Sequence, residues 1–267
     1  MILITGSSGQ LATDIVALAR ANGIDLLTAS RSRASDRPMD FDRPDTLNFR
    51  GVETLFLTSA GYAEDDVVLR RHGAVLDAAR DQGVRQVIYT SLTGAGDHLG
   101  FALAHRWTER TLRDSGLSWT ILRNGLYAEL IGSLAAPREG RIKAPLGAGG
   151  ISAVGRKDLA RAAVAVLAAP AAHVGISYEL SGPVAFSASD LARHLGLPYG
   201  PLSLEEERTR LSCLPLLPFQ PAMLMSIYSA ARAGFLHSEE SDLKTLVPHP
   251  EDALSLAGSA AQNAAES

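Results

Sequence analysis

The segment Thr5-Gly6-Ser7-Ser8-Gly9-Gln10-Leu11-Ala12 joins a short apolar run, Ile2–Thr5, to a stretch with helical periodicity. Glycine at two fixed places in a strand–turn–helix junction suits one kind of ligand. A dinucleotide's pyrophosphate must come close to the backbone and accept N–H bonds from a helix N-terminus, and side chains at Gly6 and Gly9 would block that approach. Ala12 is small enough for close packing of helix on strand. A merely tight turn would use the same glycines, but their place after the first strand and at the opening of the first helix favours binding. Gly6, Ser7, Ser8, Gly9, Gln10 and Leu11 are therefore candidate cofactor residues.

The end of the second strand decides between dinucleotides. A carboxylate there binds a ribose 2′-hydroxyl, whereas an arginine accommodates a 2′-phosphate. This chain has Ser30-Arg31-Ser32-Arg33 and no carboxylate before Asp36. Arg31 and Arg33 favour NADPH over NADH, the alternative being a solvated basic loop. Asp40 and Phe41 could lie against the adenine or form an ordinary polar turn. Thr58, Ser59, Ala60 and Thr90-Ser91 end later strands at the same edge, where hydroxyls can hold ribose and nicotinamide.

Other chemistries find less support. The seven histidines, at positions 72, 98, 105, 173, 194, 237 and 249, show no metal-ligand spacing, so no metal is expected. There is no G-x-S-x-G elbow for a hydrolase nucleophile. Cys213, flanked by apolar residues, reads as inert packing, and Glu205-Glu206-Glu207 as the solvated first turn of a helix.

These residues need a frame that brings strand ends together. Strand-like runs at Ile2–Thr5, Ile24–Thr28, Val52–Thr58, Gln86–Thr90, Ser118–Leu122 and Ser177–Leu180 alternate with helical runs, with a seventh, doubtful strand near Met39–Phe41. The helices fall at Gln10–Ala21, in about twenty residues before Gln82-Gly83, and at Ala104–Ser115 and Lys157–Ala169. The pattern predicts an α/β fold, a Rossmann-type doubly wound parallel sheet with a small, mostly helical C-terminal substrate lobe. The crossover between the second and third strands is too short for a helix and should be a loop. The organisation reads as a nucleotide-binding core over 1–125, a loop or cap segment over 126–155, a helix and strand completing the sheet over 156–182, and a lobe over 183–267. The tail Ser255–Ser267 reads as frayed or weakly helical. Apolar residues of the lobe, Leu214, Leu216, Leu217, Phe219, Met223, Leu224, Met225 and Tyr228, could line a pocket or form its own core.

Composition sets the outer limits. The 267 residues are 46% hydrophobic and 20% charged, with 25 Lys and Arg against 29 Asp and Glu, a net charge of −4. That is a globular balance with no basic excess, so a nucleic-acid partner is not expected. One cysteine excludes an internal disulfide framework and points to a reducing, cytoplasmic setting. No apolar stretch approaches the ~20 residues of a membrane helix, so no membrane partner is expected.

Several motifs together resemble a known group. Thr5–Leu11, Tyr89-Thr90-Ser91, His105…Thr108-Glu109, Leu122-Arg123-Asn124-Gly125-Leu126-Tyr127, Arg156-Lys157-Asp158-Leu159-Ala160 and Ser241-Asp242-Leu243…Leu246 follow, in order, the pattern of NmrA-like atypical short-chain dehydrogenases. The likeness is greatest to type-2 NADPH quinone oxidoreductases and triphenylmethane reductases. It implies a Rossmann sheet, NADPH as cofactor, and reduction of a quinone or related electron-poor aromatic. It also leaves open a non-catalytic NADP-binding redox sensor acting through a protein partner, and it is compatible with a homodimer. Phe101 and His105 stand where ordinary short-chain dehydrogenases carry their Tyr and Lys, and Phe101 cannot donate a proton. A quinone fits such a site, because hydride addition yields a delocalised hydroquinone anion that needs no strong general acid. Ser91, His105, Asn124 and Tyr127 are the candidate donors around it.

Overall fold

The computed structural model describes residues 1–266. Its elements run β1 (Ile2–Thr5), α1 (Gln10–Ala21), β2 (Leu26–Ser30), β3 (Arg37–Pro38), β4 (Thr54–Leu57), α2 (Asp65–Asp81), β5 (Gln86–Leu92), α3 (Ala102–Asp114) and β6 (Ser118–Asn124). They continue with α4 (Ala128–Leu134), β7 (Pro137–Arg138), β8 (Arg141–Ile142), α5 (Arg156–Ala168), β9 (Ile176–Leu180), α6 (Ala188–His194), α7 (Leu204–Ser212), α8 (Gln220–Arg232), α9 (Leu243–Leu246) and α10 (Ala253–Glu266). A seven-stranded sheet has the order β3-β2-β1-β4-β5-β6-β9. The ladders from β3 through β5 are all parallel. Strand order reverses beside β1, and in open α/β sheets that switch point is where ligands collect.

Residues fall into two compact units. The first comprises Met1–Ser91, Leu103–Asn124 and Leu159–Tyr178. Its core packs Leu3, Phe49, Leu55, Leu57, Val75, Leu76, Tyr89, Leu112 and Ile121 together. In α1, Leu11, Ala12, Ile15 and Ala19 are buried, an i, i+4, i+8 stripe that keeps the helix flat on the sheet. The second unit comprises Leu92–Ala102, Gly125–Asp158 and the chain from Glu179 onward. Its helices α6 to α10 make it mostly helical, and its core gathers Leu126, Ile131, Ile142, Phe186, Leu191, Ile227 and Tyr228.

Some expectations need correction. The seventh strand, expected near Met39–Phe41, forms two residues earlier. Strand β3 is Arg37–Pro38, registered on Ala29 and Ser30, and β2 ends at Ser30, so the following residues have no strand to pair with. Met39 instead buries its side chain, and the Asp40 amide donates to Thr46 Oγ1 at 2.9 Å. The crossover before β3 is a loop, as its length requires.

The tail is not frayed. Helix α10 runs to Glu266 with Ala253, Ala257, Gly258 and Ala261 buried, and its backbone lies so close to α4 that a Cβ at Gly132 would sit 2.1 Å from Ala257 O. Only glycine permits that approach. Cys213 is exposed at the end of α7 rather than packed. Glu207 is not solvated either. The Ser203–Glu206 capping box fixes the first turn of α7, and Glu207 lies fully buried with Arg210 Nη2 at 2.5 Å and Arg138 Nη2 at 3.5 Å.

Candidate functional site

A cavity of about 340 Å³ opens within the first unit over the ends of β1, β2 and β4. Of the residues singled out from sequence, Gly6, Ser8, Gly9, Arg31, Asp40, Phe41, Thr58, Ser59 and Ala60 line it. Ser30, from the same segment as Arg31, lines it too, whereas Ala29, Met39, Asp42, Tyr62 and Arg71 complete the lining and were not foreseen.

The glycine turn has the geometry that a phosphate needs. Gly6 holds φ +64°, a left-handed conformation, and a Cβ there would meet Thr58 Cβ at 3.3 Å. Gly9 is the N-cap of α1, and no side chain caps that helix end. The first amides of α1, from Gln10 onward, thus lack a protein acceptor of the capping kind, and the helix N-terminus favours an anion. Ser7 faces the other way, its amide and hydroxyl both donating to Ala29 O, at 3.1 and 3.2 Å. Gln10, Leu11, Arg33 and Thr90 also lie outside the lining, so contact through Gln10 and Leu11 would be by backbone.

Arg31 is exposed at the cavity's rim and forms no ion pair among the described residues. Arg71 does the opposite. Its guanidinium grips the Asp42 carboxylate at 2.8 and 2.6 Å, and this forked pairing holds Asp42 below the usual carboxylate range. Of the two arginines lining the cavity, Arg31 alone has its guanidinium outside any ion pair, as a 2′-phosphate requires.

The floor of the cavity fits a polar ligand as well. Thr58 Oγ1 is buried with no protein hydrogen-bond partner, and Thr58 lines the space. A buried hydroxyl without a partner is uncommon and fits a site shaped for a ligand's own polar groups. The residues present therefore fit a dinucleotide: a glycine cradle, an uncapped helix end, a free guanidinium and an orphaned hydroxyl.

The candidate donors have more mixed settings. Ser91 is buried, and its hydroxyl donates to Glu109 Oε1 at 2.6 Å. Glu109 also accepts from Arg123 Nη2 at 2.6 Å and Arg106 Nη1 at 2.8 Å. Burial works against its charge, but Arg123, Ser91 and Arg106 together hold its pKa below the ordinary value. The Ser91 proton is thereby committed to a permanent carboxylate.

His105 is half-buried, with Nδ1 2.9 Å from the Tyr89 hydroxyl. Burial pushes the phenol far up, so it keeps its proton, and the two side chains share one hydrogen bond whose direction follows the His105 tautomer. Desolvation lowers His105 to about 4, so at neutral pH it is an uncharged donor. Asn124 ends β6 with Oδ1 buried and unpartnered. Tyr127, in the second unit, is the N-cap of α4, with the Arg156 guanidinium 5.0 Å from its ring centroid. In the lobe, Tyr228 is core and donates to Leu134 O at 3.1 Å, whereas Leu214 and Leu217 are exposed.

His72 went unassigned in the sequence. It is fully buried on α2, and desolvation lowers it to about 3. Below pH ~6.5 the unfolded chain takes up a proton on this ring and the folded protein does not. The stability that neutral His72 contributes is therefore complete above that pH and is lost as the pH falls toward its folded value. The slope approaches about 1.4 kcal/mol per pH unit, and His105, lowered to about 4, adds a comparable share down to that pH. Urea unfolding between about pH 6.5 and 5 should show this acid loss, and His72→Gln should remove about half of it. A flat profile over that range would contradict it.

Among the described residues there is no group of His, Cys, Asp or Glu that could hold a metal, and no helix long and apolar enough to cross a membrane.

Comparison with known proteins agrees with this geometry. The profile of the NAD(P)H-binding family matches residues 6–170. Quinone oxidoreductase 2 of Escherichia coli (strain K12) is 33% identical, with 95% of this chain and 96% of that protein covered. The solved structure of Citrobacter sp. triphenylmethane reductase complexed with NADP(H) superposes with a TM-score of 0.88 at 25% identity, covering 97% of this chain and 99% of that one. NADPH-dependent quinone oxidoreductase from Escherichia coli, complexed with NADPH, gives 0.85 at 31% identity, covering 97% and 98%.

Proposed function

Because this chain belongs to the NAD(P)H-binding family, we propose that it is an NADPH-dependent reductase that passes hydride to a quinone or a related electron-poor polycyclic aromatic. The observation that carries the reading is the cavity of the first unit, with its glycine cradle, its uncapped helix end and the unpaired Arg31. The whole-length relationship to a quinone oxidoreductase supports the choice of acceptor.

The bound cofactor would supply the hydride, two electrons and one proton in a single transfer. The residues of this chain do the rest. Gly6 and Gly9 keep the backbone open to the pyrophosphate, and the N-terminus of α1 offers its amides to it. Arg31 would pair with the 2′-phosphate. His105, neutral and carrying one ring proton, and Asn124 are the groups we assign to orient the acceptor's oxygen. A quinone that gains hydride becomes an aromatic hydroquinone anion, and the second proton can come from solvent. No strong acid is then required, which suits a chain with Phe101 at the proton-donor position.

Two measurements test the reading. Purified protein without flavin or added metal should oxidise NADPH when a quinone is supplied, as followed by loss of nicotinamide absorbance. Normal NADPH binding with no turnover on a panel of quinones and polycyclic dyes would overturn the reductase and favour a redox sensor. The second measurement concerns cofactor choice. NADPH should bind at least about tenfold more tightly than NADH, since a charge-assisted contact to Arg31 contributes about 1.5–3 kcal/mol. Arg31→Ala should remove most of that preference while leaving NADH affinity nearly unchanged. Arg33, exposed and outside the cavity lining, should matter little. Equal affinities in the unaltered protein would refute the assignment.

A further inference from the structure

We infer that His72 is a positioning residue for the dinucleotide, acting through the turn Thr58-Ser59-Ala60. The inference rests on the cofactor reading above and concerns how that site keeps its shape.

Three successive amides of this turn are each taken by a side chain from a different element. The Thr58 amide donates to Thr5 Oγ1 of β1 at 3.1 Å, the Ser59 amide to Thr90 Oγ1 of β5 at 2.9 Å, and the Ala60 amide to His72 Nε2 of α2 at 2.9 Å. Backbone donors in a turn normally face whatever solvent or ligand is nearest. Here all three are drawn into the protein, while Thr58, Ser59 and Ala60 still line the cavity. The floor of the cavity therefore offers no backbone N–H from this turn, and Thr58 Oγ1 is left there without a protein partner.

His72 differs from the other two acceptors. A hydroxyl rotates to suit its neighbours, but an imidazole presents two fixed ring nitrogens. Because Nε2 accepts from a backbone amide, the single ring proton must sit on Nδ1. That proton points at Thr108 Oγ1, 2.8 Å away, and the Thr108 hydroxyl in turn donates to Ala104 O at 2.8 Å. The direction of every donor in the chain Ala60, His72, Thr108, Ala104 is thereby fixed.

The next residue, Arg71, extends Nη1 toward Ala60 O at 3.5 Å, so α2 holds both sides of the same residue. A ring needed only to fill space between Val68 and Leu76 would not require two matched polar partners. An apolar side chain would fill it and leave the Ala60 amide without its acceptor.

The experiment compares three variants with the unaltered full chain. His72→Leu removes the acceptor, His72→Gln can supply an amide oxygen in its place, and Val75→Ala opens the same helix face without touching the turn. His72→Leu should weaken NADPH binding about tenfold or more by fluorescence titration and, in the ligand-free protein, speed exchange of the Ala60 amide about a hundredfold. His72→Gln should stay within about threefold of the unaltered protein on both readouts. Val75→Ala should lower Tm yet leave the NADPH Kd unchanged, which separates shaping of the turn from general loss of stability.

The inference is overturned if His72→Leu binds NADPH as the unaltered protein does, if its Ala60 exchange matches that of Val75→Ala, or if Gln behaves like Leu. Should the unaltered protein itself fail to bind NADPH, the proposed function falls and the cofactor role of His72 falls with it. If the unaltered protein binds and His72→Leu binds equally well, only the present inference fails.

Discussion

Gly9→Val should reduce NADPH affinity at least about a hundredfold in a protein that remains folded. Gly9 has φ −82° and ψ 153°, a conformation open to any L-residue, so the backbone itself is not strained by the change. An added Cβ would meet only Gly6 O, at 3.2 Å, a crowding that a shift of a few tenths of an ångström relieves. Gly9 lines the cavity, so the valine methyls would intrude on the space that the pyrophosphate needs, at the mouth of α1. Gly6 is a poorer test, because its left-handed φ of +64° would strain any side chain and confuse binding with folding. Calorimetric titration with NADPH and a thermal melt by circular dichroism separate the two effects for Gly9→Val. Unchanged affinity with an unchanged melt would show that the turn is structural only.

The second large effect is in substrate class. Quinones should exceed simple aldehydes and ketones in kcat/KM by about 10²–10⁴, the usual worth of a positioned general acid that this chain lacks. An alkoxide formed from a ketone needs a proton at once, and none of the buried groups near the strand ends supplies one readily. Phe101 has none to give. The Ser91 proton is bound to Glu109, a carboxylate held ionised by its arginines. Tyr89 is pushed far above its ordinary range and is hydrogen-bonded to His105, which is itself neutral. His105→Ala should lower kcat on quinones only several-fold, because a neutral donor orients and polarises without completing an obligatory transfer. Comparable rates on ketones and quinones, measured side by side at saturating NADPH, would sink this account.

What could be read from the chain follows from where each signal is stored. The glycine turn was legible because its geometry forbids side chains, a local constraint written in two residues. Helix α1 falls on the residues its apolar period marks, Gln10–Ala21, and Arg31 falls at the cavity because β2 delivers it there. Arg71 and His72 were hidden for the opposite reason. Arg71 reaches the cavity, and His72 the turn beside it, from α2, through contacts that exist only once the sheet has formed. A signal for His72 was nonetheless present: it shares the face of Val68, Val75, Leu76 and Ala79, and a polar ring on an apolar stripe must find partners. Ser91 looked available because its partner Glu109 lies on a helix whose rotation the sequence does not give. The tail's two readings, frayed or helical, stay undecided in the sequence because an alanine-rich stripe carries little hydrophobic contrast, and its fit depends on Gly132, a residue on another helix.

That fit between α4 and α10 has a consequence for how the chain is made. Synthesis proceeds from the N-terminus, so α4 emerges long before the helix that covers it. The first unit takes its last segment from Leu159–Tyr178, whereas the second still awaits α10 when that segment appears. A growing chain therefore passes through a stage in which the first unit has every residue it needs and the second keeps a groove uncovered. Released chains truncated near residue 180 should resist protease in the first unit while the Gly125–Asp158 stretch is cut, and lengthening them through α10 should close that window.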